Sequence, residues 1–229
     1  MTARTPVLIV TVRGSTEPAS GSRLLTPVAR AISRSYPGDV LIRNLPYPAT
    51  FESFDAIYPA RIDLGESPTI GVHNLVTLLN EQAESRPDQR VVLLGWSQGA
   101  QVIGDTLIAP TRRFAGRGAA PLDAHAQGSI AAIALFGNPT FTAGEPHNAG
   151  KFHPGVSGVQ PRPPGALSAY TGRLRDYCAA GDIAAQNAPG SNVEGHVSYF
   201  HNDLPAQAAT FALARLTSGP AISPAPDQR

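Results

Sequence analysis

The sequence predicts an α/β fold: a three-layer sandwich in which helices cover both faces of a small, mainly parallel central sheet of about five strands. Short runs of aliphatic and β-branched residues, which are typical of buried strands, alternate along the chain with longer segments of helical periodicity. A Gly-x-Ser-x-Gly sequence at 95–99 joins one of these apolar runs to a helical segment. Such a junction is typical of doubly wound sheets, whose functional loops follow the strands.

Each element of the first half is supported by its own local pattern. Apolar runs of strand length are bounded by breaker residues such as the Pro37-Gly38 pair. Apolar residues at helical spacing identify the helices, and Ser67-Pro68 is predicted as an N-cap followed by a proline at the first helical position. The predicted elements are strands at 6–12 and 40–45, helices at 22–35 and from 67 to just before Pro87, and an irregular loop at 46–67.

The second half continues the alternation but contains two segments without periodicity. Residues 110–128 are rich in Pro, Gly, Arg and Ala and are predicted to be a surface insertion. Residues 140–170 form a long Gly- and Pro-rich stretch, which is expected to be either functional or disordered. The predicted elements are strands at 91–94, 128–136 and 173–178 and helices at 100–108 and 203–216.

Composition limits the classes of function. The 229 residues are 42% hydrophobic and carry a net charge of +1, which suits one domain over 1–217, followed by a Pro-rich tail at 218–229 that is predicted to be disordered. The near-neutral charge and the lack of a Lys/Arg-rich run argue against a nucleic-acid partner. No apolar run approaches the roughly 18 residues of a membrane span, and no large apolar stripe is left over. A monomer without a transmembrane segment is therefore expected.

The Gly95-Trp-Ser-Gln-Gly99 segment is predicted to be a nucleophile elbow. In such a turn the serine, here Ser97, has a strained backbone and an exposed hydroxyl between strand and helix. A side chain two residues before or after it would collide with the neighbouring strand or helix, which explains the glycines. The pattern predicts a serine hydrolase. The alternative is a glycine-rich turn that binds a phosphate at a helix N-terminus.

Serine is a weak nucleophile, so the elbow also predicts a histidine base and an orienting carboxylate, in the chain order Ser, Asp or Glu, His. The base is expected after the last strand, which leaves His196 and His201 as candidates. Asp182 stands just past the end of that strand, where the carboxylate is expected. Asp176 lies within the strand and is expected to face a neighbouring arginine.

Neither a metal nor another cofactor is predicted. His147 and His153 lie in the same irregular segment, but no Cys, Asp or Glu cluster joins them at ligand spacing. Cys178 is the only cysteine, so the chain cannot form an intramolecular disulfide. Nothing in the sequence around Cys178 indicates an activated thiol.

Four segments resemble the signature segments of the cutinase family, which also includes acetylxylan esterases and many actinobacterial esterases. They occur in the order of that family, and the resemblance spans residues 7 to about 216. The segments are Arg13-Gly-Ser-Thr-Glu17, Gly95-Trp-Ser-Gln-Gly99, Tyr177-Cys-Ala-Ala-Gly-Asp182 and Gly195-His-Val-Ser-Tyr199.

The resemblance implies roles for five residues. By it, Ser97 is the nucleophile, His196 the general base and Asp182 the carboxylate that orients the base. The oxyanion hole would consist of the backbone N–H and hydroxyl of Ser15 and the backbone N–H of Gln98; such donors contribute roughly 3–4 kcal/mol each. The implied activity is hydrolysis of lipid-like or polymeric carboxylic esters through an acyl-enzyme.

The sequence departs from the family pattern in one respect. Cys178 fits the first cysteine of a family disulfide, but Ala184 and Ala185 stand where its partner would be, so the bridge that would brace the Asp182 loop is absent. Trp96 replaces the more usual tyrosine. The family implies secretion, whereas the N-terminus has no signal-peptide pattern. Localisation therefore stays open between secretion and a cytoplasmic or phage-encoded protein.

Aromatic residues of the two irregular segments are candidates for an apolar substrate rim, and the alternative is that they pack the loops onto the core. They are Tyr47, Phe51, Phe54, Tyr58, Phe141 and Phe152. Two further functions fit the same chain. The phage lysin B enzymes, which cleave mycolic esters from arabinogalactan, share the elbow and a Gly-Asn-Pro sequence like that at 137–139. A binding module on the same fold would hold a nucleotide or a wall polymer without turnover.

Overall fold

A single parallel sheet forms the centre of the computed structural model, which describes residues 5–53 and 63–218. The strands are β1 (Val7–Val12), β2 (Val40–Asn44), β3 (Arg90–Trp96), β4 (Ile130–Phe136), β5 (Asn148–Gly150) and β6 (Leu174–Cys178). Their order is β2-β1-β3-β4-β6-β5, and every neighbouring pair is parallel. The predicted α/β class is confirmed, and the sheet has one strand more than expected.

Helices follow most of the strands, as the alternating sequence pattern predicts. Within the described residues they are α1 (Leu25–Ser35), α2 (Ser67–Ser85), α3 (Gln98–Thr106), α4 (Ala124–Ser129), α5 (Val193–Val197) and α6 (Leu204–Thr217). None of them is both long and apolar enough to cross a membrane. The short helices α4 and α5 were not predicted, because one turn of helix carries too few residues for a periodic signal.

The strands are apolar on both faces because helices cover both faces. Along β1, Leu8 and Val10 belong to one hydrophobic cluster, whereas Val7 and Ile9 belong to the other. Helices α2, α3 and α4 contribute to the first cluster, and α1 and α6 contribute to the second. The three layers are therefore helix, sheet and helix, and the loops that follow the strands are free to form a site.

The segment 140–170 is ordered and contains the additional strand. Strand β5 has only three residues and pairs with β6 at the edge of the sheet. The backbone N–H of Val159 donates to the Ala184 carbonyl at 2.9 Å and attaches the segment to the loop after β6, and that of Gly158 donates to the Phe141 carbonyl at 2.9 Å within the segment itself. The prediction of a strand-free segment was wrong because Asn-Ala-Gly has no β-branched or large apolar residue.

The segment 110–128 is not a surface insertion, which corrects the prediction. Its apolar residues Ala119 and Leu122 are buried against α2 and α3. Arg113 is fully buried, and its guanidinium donates hydrogen bonds to four backbone carbonyls, those of Ile108, Gly116, Ala119 and Ala120. The arginine that made the segment look polar is thus an internal cross-link of the loop.

Serine side chains lie at the starts of α1 and α2, and each helix starts differently from the prediction. Ser67 is the first residue of α2 rather than its N-cap, and its hydroxyl donates to the side-chain oxygen of Gln98 at 2.8 Å. Ser22 precedes α1, and its hydroxyl accepts the N–H groups of Leu24 and Leu25. The helix predicted from residue 22 therefore begins at Leu25.

A buried ion pair connects α3 with the segment 140–170. Arg162 donates from Nη1 to Oδ1 of Asp105 at 2.7 Å, and both side chains are buried. Asp105 also accepts the N–H groups of Phe114 and Ala115, each at 3.1 Å. The helix that follows the Gly-x-Ser-x-Gly turn is thereby fixed at its C-terminal end.

We expect Arg162→Met to lower the free energy of unfolding by about 3–5 kcal/mol, because it leaves the buried Asp105 carboxylate without its cation. Urea denaturation measures this loss. Combining it with Asp105→Asn should restore most of the loss, since a neutral amide is less costly to bury. Arg112→Met removes an exposed arginine and should change the stability by less than about 0.5 kcal/mol. Equal losses in the two single arginine variants would contradict the expectation.

Some predictions concern residues outside the described ranges. Phe54 and Tyr58 of the candidate rim lie there, as does the tail beyond Ser218. The assignment of 1–217 to one domain and of 218–229 to a disordered tail stays a prediction.

Candidate active site

The elbow is the junction of β3 and α3, and Ser97 is its turning point. Ser97 has φ 54° and ψ −120°, in the left-handed half of the map that non-glycine residues rarely adopt. Its N–H donates to the Phe136 carbonyl, and its own carbonyl accepts the Ala100 N–H, both at 2.9 Å. A Cβ atom on Gly99 would lie 1.9 Å from the Val12 carbonyl oxygen. Only glycine lets α3 start this close to β1.

Ser97, His196 and Asp182 form one continuous chain of hydrogen bonds at the carboxyl edge of the sheet. The Ser97 hydroxyl oxygen lies 2.9 Å from Nε2 of His196, and Nδ1 of His196 lies 2.8 Å from Oδ1 of Asp182. His196 lies on α5, and Asp182 lies in the loop after β6. The Asp182 side chain is fully buried, whereas His196 and Ser97 are partly exposed. The row of hydrogen bonds therefore runs from the buried Asp182 to a solvent-exposed end at Ser97.

The surroundings of Asp182 keep its carboxylate ionised. Burial on its own raises the pKa of Asp182, but the charge and hydrogen bond of His196, the hydroxyl of Tyr199 and the Ala185 N–H together lower it below its ordinary value. An ionised carboxylate accepts a proton from Nδ1 of His196, and in the tautomer that carries its proton there, Nε2 faces Ser97 as an acceptor. This is the tautomer that a general base needs.

Aromatic contacts fix the plane of the His196 ring. The Trp96 indole stacks on the imidazole with the centroids 5.6 Å apart and the planes 22° apart. Phe200 packs edge-on against the same indole at 5.1 Å. A Cβ atom on Gly14 would lie 2.6 Å from the indole, so glycine lets the turn after β1 pack on Trp96. The tryptophan that replaces the more usual tyrosine is therefore a structural contact of His196.

The turn that carries Ser15 is organised by a glutamate. The Glu17 carboxylate accepts the Gly14 N–H at 2.9 Å, the Ser22 hydroxyl at 2.9 Å and the Arg23 N–H at 2.8 Å. These three bonds close the turn around Ser15 and tie it to the start of α1. Because Val12 of β1 lies opposite Gly95 of β3, this turn is next to the elbow.

Arg13 attaches the same turn to the loop after β2. Its guanidinium is buried and donates to the carbonyls of Glu17, Leu45, Tyr47 and Pro48. The Tyr47 hydroxyl in turn donates to the Arg13 carbonyl. The charge of Arg13 is thus met by carbonyl oxygens, and the signature arginine maintains the shape of the turn. The sequence singled out this turn for Ser15 but gave no sign of these supporting roles.

Beside the elbow, the backbone N–H groups of Ser15 and Gln98 have no acceptor among the described residues. Gln98 is the first residue of α3, where helix N–H groups are unpaired and the helix dipole favours negative charge. The Gln98 side chain is engaged, since it donates to the Thr50 carbonyl at 2.7 Å and accepts the Ser67 hydroxyl. The side chain of Gln98 thus supports the rim, while its backbone N–H is left to donate to another group.

The candidate rim residues divide into buried and exposed side chains. Tyr47 is 6% exposed and Phe141 is fully buried, and Phe152 packs edge-on against Phe141 at 5.2 Å. For Tyr47 and Phe141 the structure supports the alternative of packing the loops onto the core. Phe51 is 38% exposed. The sequence did not single out Val193 and Val197, which are 47% and 36% exposed on the helix of His196.

Two other candidates do not reach the serine. His201 is exposed, and its ring contacts that of Phe200 with the centroids 6.5 Å apart. Cys178 is fully buried with its sulfur 4.0 Å from the Ala185 carbonyl oxygen, and burial raises the pKa of its thiol well above the ordinary value. Within the described residues, no three His, Cys, Asp or Glu side chains are grouped to hold a metal.

Asp176 makes its hydrogen bond with an asparagine, and an arginine, Arg162, acts on it through its charge without a hydrogen bond. Asn138 donates from Nδ2 to Oδ2 of Asp176 at 2.8 Å, and Oδ1 has no hydrogen-bond partner among the described residues. Burial raises the pKa of Asp176 to about 7, although the Asn138 hydrogen bond and the charge of Arg162 oppose this rise. The Asp176 carboxyl group is part of the core beneath the strand ends and takes no part in the hydrogen bonds that join Ser97, His196 and Asp182.

We expect the raised pKa of Asp176 to make stability fall with pH. The unfolded chain releases this proton near pH 4 and the folded chain near pH 7, so the folded state binds more protons in between. The stabilising contribution is present below about pH 4 and is lost as the pH rises through about 7. Asp176→Asn should therefore be more stable than the wild type by a few kcal/mol at pH 8 and similar to it at pH 4. Urea denaturation across this range measures the difference, with the exposed Asp88→Asn as control; a pH-independent difference would contradict it.

The family model named Cutinase matches residues 3–216. The chain belongs to the cutinase family. It is 29% identical over 195 residues to Cutinase 11 of Verticillium dahliae, and the match covers 84% of this chain and 63% of that protein. This chain thus spans a little under two thirds of that relative's length. The family assignment confirms the resemblance found in the sequence.

Solved structures support the same fold. The catalytic core domain of acetyl xylan esterase from Trichoderma reesei superimposes with a TM-score of 0.74 at 25% identity, covering 91% of this chain and 98% of that one. Lysin B from Mycobacteriophage D29 superimposes with a TM-score of 0.54 at 17% identity, covering 93% of this chain and 88% of that one. The likeness to lysin B concerns the fold alone.

Proposed function

We propose that this member of the cutinase family is a carboxylic ester hydrolase that works through an acyl-enzyme on Ser97. The observation that carries the proposal is the chain of two hydrogen bonds, 2.9 Å and 2.8 Å long, that joins Ser97 to His196 and His196 to Asp182. A serine hydroxyl becomes a useful nucleophile when an oriented base accepts its proton. Membership of a family whose relatives are named cutinase and acetylxylan esterase supports the same chemistry.

Acylation begins at the serine. The Ser97 hydroxyl oxygen attacks the ester carbonyl carbon while Nε2 of His196 takes the hydroxyl proton. The Asp182 carboxylate holds the ring by its Nδ1 proton and stabilises the imidazolium that forms. When the tetrahedral intermediate collapses, the bond to the leaving alkoxide breaks and the imidazolium protonates it. Water then attacks the acyl-enzyme by the same route, and the carboxylic acid leaves.

The tetrahedral oxyanion needs preorganised donors. The N–H groups of Ser15 and Gln98 are assigned to this task because they lie on the turn after β1 and at the start of α3 and lack other acceptors among the described residues. The Ser15 hydroxyl is a third donor for the same oxygen. Each such donor contributes roughly 3–4 kcal/mol to the stabilisation of the transition state.

The surroundings favour an ester with an apolar part. Val193 and Val197 are exposed on either side of His196 on α5, and Phe51 is exposed on the loop after β2. Exposed apolar side chains beside a catalytic group provide contact area for hydrocarbon. We therefore assign lipid-like or polymeric esters as the substrate class, with Phe51 as a rim residue.

A fluorophosphonate probe and an ester assay test the proposal together. The wild type should hydrolyse p-nitrophenyl butyrate and be labelled once, at Ser97, as peptide mass spectrometry determines. A binding module on this fold would show neither reaction. A panel of an aliphatic polyester and mycolyl-arabinogalactan then separates a general polyester hydrolase from a lysin B-type esterase by which acid is released.

A further inference from the structure

A fully buried tyrosine contacts the Asp182 carboxylate at the oxygen that His196 does not use. The Tyr199 hydroxyl donates to Oδ2 of Asp182 at 2.7 Å and accepts the Ala179 N–H at 2.9 Å. Phe136 packs edge-on against its ring, with the centroids 6.0 Å apart. Because the hydroxyl has both a donor and an acceptor partner, it is held in one orientation.

The two oxygens of Asp182 have unequal support. Oδ1 accepts the Nδ1 proton of His196 and the N–H groups of Ala184 and Ala185. Among the described residues, Oδ2 accepts only from Tyr199. Without that hydroxyl, Oδ2 is a buried charged acceptor that lacks a donor, which is a costly arrangement. The carboxylate can relieve it only by rotating away from the histidine or by taking up a proton.

The loop that carries Asp182 has no covalent brace. Cys178 and Ala185 lie in one small buried cluster, and the thiol is free. Tyr199 bonds to the loop at two points, the Ala179 N–H and the Asp182 side chain, and it lies three residues after His196 in the sequence. One side chain thus links the acid loop to the segment that carries the base.

We propose that Tyr199 is a positioning residue that fixes the Asp182 carboxylate in the orientation that His196 needs. The inference rests on the proposed function, since this orientation matters only if His196 acts as the base for Ser97. Tyr199 touches neither the substrate nor the reacting atoms, and it acts through Asp182. Its hydroxyl also withdraws part of the negative charge from the side that faces the imidazole.

These two effects give two expected changes in Tyr199→Phe. The loss of orientation lowers kcat by about tenfold to a hundredfold, the range of a hydrogen bond to a charged group, and leaves KM unchanged. Without the Tyr199 hydroxyl, more of the negative charge of Asp182 stays on the side of His196. This charge stabilises the imidazolium, so the acid limb of the pH profile of kcat/KM moves to higher pH. A residue that merely fills the core would not move this limb.

Tyr177→Phe is the matched control. Tyr177 is also buried and stacks on Phe136 at 5.3 Å, but its hydroxyl has no hydrogen-bond partner among the described residues. We expect Tyr177→Phe to keep the wild-type kcat and pH profile. The inference is overturned if Tyr199→Phe keeps kcat within twofold, or if kcat falls with the acid limb unmoved.

A second measurement does not depend on turnover. The downfield proton resonance of Nδ1 of His196, assigned by its loss in His196→Gln, reports the contact with Asp182. It should shift in Tyr199→Phe and stay in place in Tyr177→Phe, and an unshifted resonance overturns the inference. If the wild type fails to hydrolyse esters, the proposed function falls, and this resonance still decides whether Tyr199 positions the carboxylate.

Discussion

Ser97→Ala is expected to lower kcat for p-nitrophenyl butyrate by about five to six orders of magnitude. The hydroxyl oxygen 2.9 Å from Nε2 of His196 is the proposed nucleophile, and without it no acyl-enzyme would form. The residual rate comes from the oxyanion donors and from substrate binding, which alone accelerate hydrolysis by about 10³–10⁴ over water. Initial rates at saturating substrate measure the loss, and labelling by the fluorophosphonate probe disappears with it.

The fold should survive this change. Ser97 has a positive φ, and alanine at that position keeps the strain and loses only the hydroxyl. The thermal unfolding curve of Ser97→Ala should therefore stay close to that of the wild type. Ser85→Ala, which removes an exposed serine hydroxyl at the end of α2, is the control and should keep full activity. Substantial hydrolysis by Ser97→Ala would mean that another group is the nucleophile.

The parts of the site that consist of residues close together in the sequence were predictable. The elbow needs glycines at fixed positions around Ser97, so its geometry is present in a five-residue pattern. The base was not decided by position alone, because His196 and His201 both follow the last strand. Only the cutinase resemblance selected His196, and the structure places that histidine, not His201, within hydrogen-bond distance of the serine.

The supporting contacts were not predictable, because each joins residues far apart in the chain. Arg162 pairs with Asp105 across 57 positions, and the side chain of Gln98 holds Thr50 across 48. Arginine and glutamine are usually exposed, so no sequence pattern marked these two side chains as buried. Tyr199 stood in a recognised segment, but its contact with Asp182 depends on the path of the loop between β6 and α5.

The missed strand has a different cause. Strand β5 consists of Asn148, Ala149 and Gly150, and no local property of these residues favours a strand. It forms because β6 offers an unpaired edge and because the segment around it is attached to the loop after β6 by bonds such as the one from Val159 to Ala184. Pairing with β6 outweighs the weak local preference of these three residues, and a local sequence pattern does not show such pairing.

Asp182→Asn is expected to lower kcat by about 10³–10⁴ and to leave the fold intact. The N–H groups of Ala184 and Ala185 point at the Oδ1 position, so the amide oxygen of the variant should take that place. The Nδ1 proton of His196 keeps an acceptor, and the ring keeps its tautomer. What is lost is the negative charge that stabilises the imidazolium in the transition state, and the acid limb of the pH profile should move to lower pH.

Asp176→Asn provides the matched control for this change. Asp176 is a second buried carboxyl group, six positions earlier, and it contacts Asn138 instead of the histidine. At pH 8, above the pKa of about 7 of Asp176, we expect its variant to keep kcat within a few fold, because the charge that matters is the one in contact with His196. If Asp182→Asn retained wild-type kcat, the carboxylate would be a structural group of its loop and His196 would act without it. If both variants lost activity equally, the general field of buried charge, rather than the contact at Nδ1, would control the base.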